Sequence, residues 1–279
     1  MRTYSIVFLD IDGTLLDSRH RIMPCTHQHL QGLHQRGVPI ILCSARPPEG
    51  VHQVSVAAGF DGPKACYNGG LIYDEHRTIL RDVGIDLHLA MDFRRFVAEH
   101  YPDLVVSAYL YNVWLTEDPR HPVIQQEAEI SGCAPLMGAL EQIEGSVSHI
   151  HKLLCIGDAK RIRALQNELP RHFPQLMALR SKATYLEILS PESTKGSAAQ
   201  VLLDHYGLST EQAVAFGDSD VDMDLLQRCG LGVAMGNATR QAKEAADFVT
   251  ASNDEEGIYI ALNSLRLRAP GKAGRLQKT

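Results

Sequence analysis

The chain has 279 residues, 44% hydrophobic and 22% charged, with a formal charge of −6 at pH 7. That length allows one large domain or two ordinary ones, and the composition is that of an ordinary globular protein. The negative balance gives no general attraction to nucleic acid or an anionic membrane, and no apolar run approaches the roughly 18 residues a membrane span needs.

In chain order, the apolar run Ile6-Val7-Phe8-Leu9 reads as a buried central strand that ends in Asp10-Ile11-Asp12-Gly13-Thr14. The N-terminus runs straight into that strand, which leaves no room for a cleavable signal. Pro24 to Arg36 reads as a helix stopped by Gly37, Pro39 to Cys43 as a second buried strand ending at Ser44-Ala45-Arg46, and the stretch opened by Pro47 and Pro48 as a helix. Ala65 to Tyr67 is a third strand, and Leu71 to Tyr73 with Thr78 to Arg81 a small hairpin. From about Gly84 the pattern changes to a helix followed by paired strands, twice over: Leu87 to His100, Leu104 to Leu110, Val113 to Thr116, His121 to Ile130, His149 to Ile156, Ala159 to Leu169, Leu176 to Ser181 and Ala183 to Leu189. The alternating pattern resumes with helix Lys195 to Tyr206, strand Ala213 to Phe216, helix Val221 to Cys229, strand Leu231 to Ala234, helix Thr239 to Ala246, strand Phe248-Val249 and a helix from Gly257. The expected fold is therefore α/β: a doubly wound, mostly parallel core, residues 1–83 and 189–279, interrupted by an α+β insert, residues 84–188. The basic tail from Leu265 to Thr279 is expected to fray. Six scattered cysteines, Cys25, Cys43, Cys66, Cys133, Cys155 and Cys229, form no C-x-x-C pair, which suits a reduced, cytosolic protein with thiols packed as small hydrophobes.

Chemistry concentrates where strands end. Asp10 and Asp12, two apart on extended backbone, would point the same way. With Asp218, behind another strand, three carboxylates can converge, and two such charges 4 Å apart repel by about 4 kcal/mol at an effective dielectric near 20. A phosphate ester would meet the same repulsion, so the arrangement calls for a hard cation, and Mg2+ is the natural candidate. Lys195, opening a helix, can reach back to neutralise an aspartate, with Asp222 as its anchor or else as an exposed first-turn acid. Ser44 can donate to phosphate or serve as a loop residue, and Asn237 reads as a helix cap. His149 and His151 share one face of a strand; two zinc ligands are conceivable, but no further Cys or spaced His supports a metal site. No dinucleotide or P-loop fingerprint is present.

These motifs resemble, nearly end to end, the haloacid dehalogenase superfamily, specifically its Cof-type phosphatases with a type IIB cap. Asp10-Ile11-Asp12-Gly13-Thr14-Leu15-Leu16 is similar to the first family motif, Ser44-Ala45-Arg46 to its Thr-Gly-Arg segment, Lys195-Gly196 to the third motif and Gly217-Asp218-Ser219-Asp220-Val221-Asp222 to the fourth. The resemblance implies that Asp10 attacks phosphorus and Asp12 acts as general acid and then base. It further implies that Asp10, the Asp12 carbonyl and Asp218 hold Mg2+, and that Ile11 N–H, Ser44, Ala45 N–H and Lys195 hold the phosphoryl group. Val221 departs from the family, standing where many relatives carry an Asn that contacts phosphate or orders the metal's surroundings. Loss of such a partner typically costs 10- to 100-fold. The expectation is a cytosolic Mg2+-dependent phosphatase acting on a sugar phosphate or similar small phosphorylated metabolite. A phosphosugar mutase sharing the intermediate and a non-catalytic metabolite-binding relative are the alternatives.

Overall fold

The computed structural model describes residues 2–131 and 133–270, so the last nine residues of the expected frayed tail lie outside the described residues. Just before them, Arg266–Leu267 forms a short strand parallel to Thr3–Tyr4, so this part of the tail is ordered by pairing. The chain divides into two compact units: Met1–Ala45, Val51–Arg81 and Thr194–Thr279 in one, Arg46–Gly50 and Asp82–Ser193 in the other. The divisions fall at 81/82 and 193/194 rather than 83/84 and 188/189, and 46–50 belongs to the second unit.

The first unit is built on an eight-stranded sheet in the order Phe248–Val249, Leu231–Ala234, Ala213–Gly217, Ile6–Asp10, Ile40–Cys43, Lys64–Cys66, Leu71–Tyr73, Ile79–Asp82. Its first six strands are parallel, and Leu71–Tyr73 returns antiparallel. All five residues of Ile6–Asp10 are buried, as are all of Ala213–Gly217, which explains the apolar run up to Asp10 and along Ala213–Gly217: both faces are covered. Strand order reverses at Ile6–Asp10, with the next strand in sequence on one side and the last three on the other. Crevices at such a reversal, beyond the carboxyl ends of the strands, are where open α/β sheets bind ligands.

The second unit carries a six-stranded sheet in the order Leu136–Met137, Val113–Thr116, Val105–Leu110, Lys152–Ile156, Tyr185–Leu189, Met177–Lys182. Every pairing is antiparallel except that of Leu136–Met137. Helices Leu87–His100 and Ala159–His172 supply Phe93, Val97, Ile162 and Leu165 to a core shared with Leu153, Cys155, Leu186 and Ile188. Two of the alternate strand positions carry charge: buried Lys152 and Glu187 lie 3.5 Å apart. The second helix continues past Leu169, the expected end, through Pro170 to His172. The strand expected over His149 to Ile156 is broken at His151 into His149–Ile150 and Lys152–Ile156.

Candidate active site

Three segments of the first unit meet at the carboxyl end of its sheet. Asp10 is the last residue of its strand and is buried, 6% exposed. Beyond it the chain turns back, with Leu15 N–H donating to Asp10 O (3.2 Å) and Leu16 N–H to Ile11 O (2.9 Å). Asp12 lies within that turn, in an isolated β-bridge with Leu16, and is exposed where Asp10 is buried. Asp10 pairs in register with Cys43, which places Ser44 and Ala45 at the neighbouring strand end. Ser44 is buried and its backbone tied on both sides: its N–H donates to Ala65 O (2.9 Å) and its carbonyl accepts from Asn68 N–H (2.8 Å).

Lys195 is the first residue of helix Lys195–Tyr206, whose cap residue Thr194 accepts from Ser197 N–H. Its side chain is buried, and Nζ donates to Asp10 Oδ1 (2.5 Å) and to Asp222 Oδ1 (2.5 Å). It is thus the charged partner of two aspartates rather than a solvated surface lysine. Asp222, fully buried, spends its other oxygen on Asp218 N–H (3.1 Å), Ser219 N–H (2.9 Å) and Ser219 Oγ–H (2.9 Å). The expected anchoring of Lys195 by Asp222 is what the geometry gives.

Asp218 follows strand Ala213–Gly217 and accepts from Thr14 Oγ1–H at Oδ1 (3.0 Å). Thr239 N–H donates to its carbonyl (2.8 Å). Thr14 was visible as part of the first motif but had no assigned task; its hydroxyl positions Asp218. Asn237 does not cap the following helix, since Thr239 does. Instead Asn237 Nδ2–H donates to Gly13 O (2.8 Å) and its Oδ1 accepts from Asn253 N–H (3.0 Å), tying the first motif to the loops after two other elements. No spacing rule foretells that bridge, because its partners lie far away in sequence.

The electrostatics follow from three carboxylates facing one ammonium. The carboxyl oxygens of Asp10, Asp218 and Asp222 lie within 4.8 Å of one another. Burial raises the Asp10 pKa well above the usual carboxylate range, Lys195 pulls it back, and Asp222 and Asp218 push it up further. Asp218 is driven up to about 6, first by burial and then by Asp222. For Lys195, burial opposes the charge, but Asp10 and Asp222 outweigh it and the pKa rises. The cluster thus holds more negative charge than its lysine neutralises.

That excess is the test of whether a metal suits the site. The donor set is all hard oxygen, as Mg2+ prefers. Asp222 is committed to Lys195 and to N–H and O–H donors, which leaves Asp10 and Asp218 as the carboxylates able to serve a cation. Gly13 (φ 86) keeps the approach open: a Cβ there would stand 2.5 Å from Asp218 Oδ2. The residues fit a divalent cation.

His149 and His151, in the second unit, converge on Asp82, with one ligand atom from each of the three within 4.8 Å of the others. His149 Nε2 and His151 Nε2 lie 2.8 and 3.0 Å from Asp82 Oδ1, and Tyr111 O–H donates to Asp82 Oδ2 (2.5 Å). His151 Nδ1 accepts from Tyr111 N–H (3.2 Å), so the ring proton sits on Nε2 and points at the carboxylate. A metal on Nε2 would force that proton to Nδ1, against the Tyr111 N–H. The cluster is a saturated hydrogen-bond network.

The six cysteines are all free: Cys43, Cys66, Cys155 and Cys229 are buried, Cys133 is half-buried and Cys25 exposed. Among the described residues no helix is long and apolar enough to cross a membrane.

A doubly wound sheet with an aspartate cluster and a buried lysine at its switch point defines an α/β enzyme of the acid-cluster hydrolase type. The chain belongs to the haloacid dehalogenase-like hydrolase family, which it matches over residues 7–262. It is 33% identical over 259 residues to a putative phosphatase of Haemophilus influenzae, covering 93% of this chain and 97% of that protein. It is 26% identical over 267 residues to the pyridoxal phosphate phosphatase YbhA of Escherichia coli, covering 92% of this chain and 96% of that one. Among solved structures, a haloacid dehalogenase-like hydrolase from Bacteroides thetaiotaomicron superposes with a TM-score of 0.84 at 27% identity, over 93% of this chain and 98% of that one.

Proposed function

We propose that this chain is a Mg2+-dependent phosphatase that hydrolyses a small phosphate ester, a sugar phosphate or similar metabolite, through an aspartyl-phosphate on Asp10. The observation that carries the reading is the Asp10 carboxylate, buried at a strand end with one oxygen held by Lys195 at 2.5 Å. With Oδ1 so held, Oδ2 is the oxygen that attacks phosphorus. The new O–P bond forms as the bond to the leaving alcohol breaks, and Asp12, exposed in the turn, gives that alcohol its proton. Water then attacks the phosphoryl group and gives a proton to Asp12, the aspartyl O–P bond breaks, and Asp10 is released as a carboxylate beside inorganic phosphate.

Asp10, the main-chain carbonyl of Asp12 and Asp218 would hold Mg2+, which when bound supplies the positive charge this cluster lacks. Thr14 keeps Asp218 turned toward that position. Lys195, Ser44 Oγ and the N–H groups of Ile11 and Ala45 hold the phosphoryl oxygens, and Asp222 holds Lys195. Most of the rate enhancement is positioning and charge stabilisation of this kind.

The test is phosphate release from a panel of phosphate esters with and without EDTA, beside Asp10→Asn. Turnover is expected to stop in the chelated sample and in the variant. A variant that keeps full rate overturns the nucleophile.

A further inference from the structure

The mechanism uses Lys195 through its ammonium, yet an ammonium on a flexible stem is only as well placed as the backbone that carries it. Its Nζ end is gripped by Asp222. The other end rests on Gly196, whose N–H donates to Asp224 Oδ2 at 2.9 Å. Asp224 is partly buried in the first turn of helix Met223–Arg228, two residues beyond Asp222. One short stretch of chain thus takes hold of Lys195 at tip and root.

The contact is unusually close for a backbone reason. A Cβ on Gly196 would stand 2.7 Å from Asp224 Oδ2 and 2.9 Å from Asp224 O, distances real Cβ atoms do not adopt. Gly196 has no left-handed φ to explain it; it is glycine so that the two helices can meet. The first turn of helix Lys195–Tyr206 leaves its early N–H groups without partners inside the helix. Thr194 Oγ1 takes that of Ser197 (3.1 Å), and Asp224 takes that of Gly196. The pair fixes where Lys195 begins.

We infer that Asp224 is a positioning residue for the phosphoryl-transfer site: by binding the Gly196 N–H it sets the backbone from which Lys195 reaches Asp10. The inference rests on the phosphatase reading above. A displacement of about 1 Å in a positioned group can cost on the order of 100-fold in rate. Asp224→Ala should therefore lower kcat by roughly 10- to 100-fold with KM within about twofold. Asp224→Asn keeps an acceptor oxygen and should recover to within about threefold of the unmodified enzyme. Placed in a Lys195→Ala background, Asp224→Ala should cost less than about threefold more, since its effect passes through the lysine.

A role in stability alone would instead give the same loss in both backgrounds, and that result overturns the inference, as does an Asp224→Asn no better than Asp224→Ala. A second readout does not depend on turnover: in protein carrying 13C-labelled lysine, the Lys195 ε-methylene resonance should move in Asp224→Ala and stay put in Asp224→Asn. An unmoved resonance in Asp224→Ala sinks the positioning role. Absent turnover in the unmodified chain, with the resonance moving as expected, sinks the phosphatase reading and leaves the positioning intact.

Discussion

Asp10 in the first unit and Asp82 in the second are carboxylates drawn away from bulk water, and their surroundings drive them in opposite directions. Burial pushes both up. Around Asp82 that push is outweighed by donors from Tyr111, His149 and His151, which hold its pKa below the usual range. Around Asp10, Lys195 cannot offset burial together with Asp222 and Asp218, and the pKa ends well above it. One cluster has its charge answered by the protein itself; the other is left wanting a positive partner. The difference separates a network that holds a fold from one prepared to receive something, because an unanswered charge is costly to keep and persists where binding a partner repays it.

The largest expected effect attacks the unanswered cluster. Asp10→Asn should lower phosphate release by on the order of 10⁴-fold or more, with the circular dichroism spectrum unchanged. Asp218→Asn should weaken apparent Mg2+ affinity, read by titrating activity against metal, by about 100-fold, an upper-range value for a group at a metal site. If neither variant changes metal dependence, the cluster is not a cation site.

Smaller effects belong to the answered cluster. Asp82→Ala leaves three donors without their acceptor and should destabilise the chain by about 1–3 kcal/mol in urea unfolding, with the activity's Mg2+ dependence unchanged. The smallest is a pH effect at His151, which is fully buried and whose pKa burial lowers from 6.5 to about 4. Between those two values the unfolded chain takes up a proton that the folded chain refuses, so His151 removes stability as pH falls from about 6.5 toward 4 and contributes nothing above. The slope attributable to it is at most about 1.4 kcal/mol per pH unit. His151→Gln should flatten the pH dependence of unfolding by that amount. An unchanged slope would mean that His151 is already protonated in the native state.

How much of this was legible in the sequence depends on whether a signal is local. Ile6–Asp10 and Ala213–Gly217 announced themselves because strands buried on both faces run apolar almost throughout, with Asp10 the exception at the end of its strand. Asp10, Lys195 and Asp218 stood out because each closes or opens an element at a motif. Asp12 lies past the end of Ile6–Asp10, in a bridge to Leu16, and its exposure beside a buried Asp10 is not something the two-residue spacing tells. The task of Asn237 and the contact between Asp224 and Gly196 were hidden for a different reason: each joins segments that only the assembled sheet brings together. His149 and His151 were visible as a pair, but their common partner Asp82 precedes them by 67 and 69 residues.

The insertion has one consequence for synthesis. Asp10 and Lys195 are 185 residues apart, so a growing chain carries its first acidic loop long before the ribosome delivers the lysine that steadies it. Asp218 and Asp222 arrive later still. A truncated product ending within residues 82–193 would carry Asp10 without Lys195, Asp218 or Asp222, and on the proposed mechanism it would be inactive.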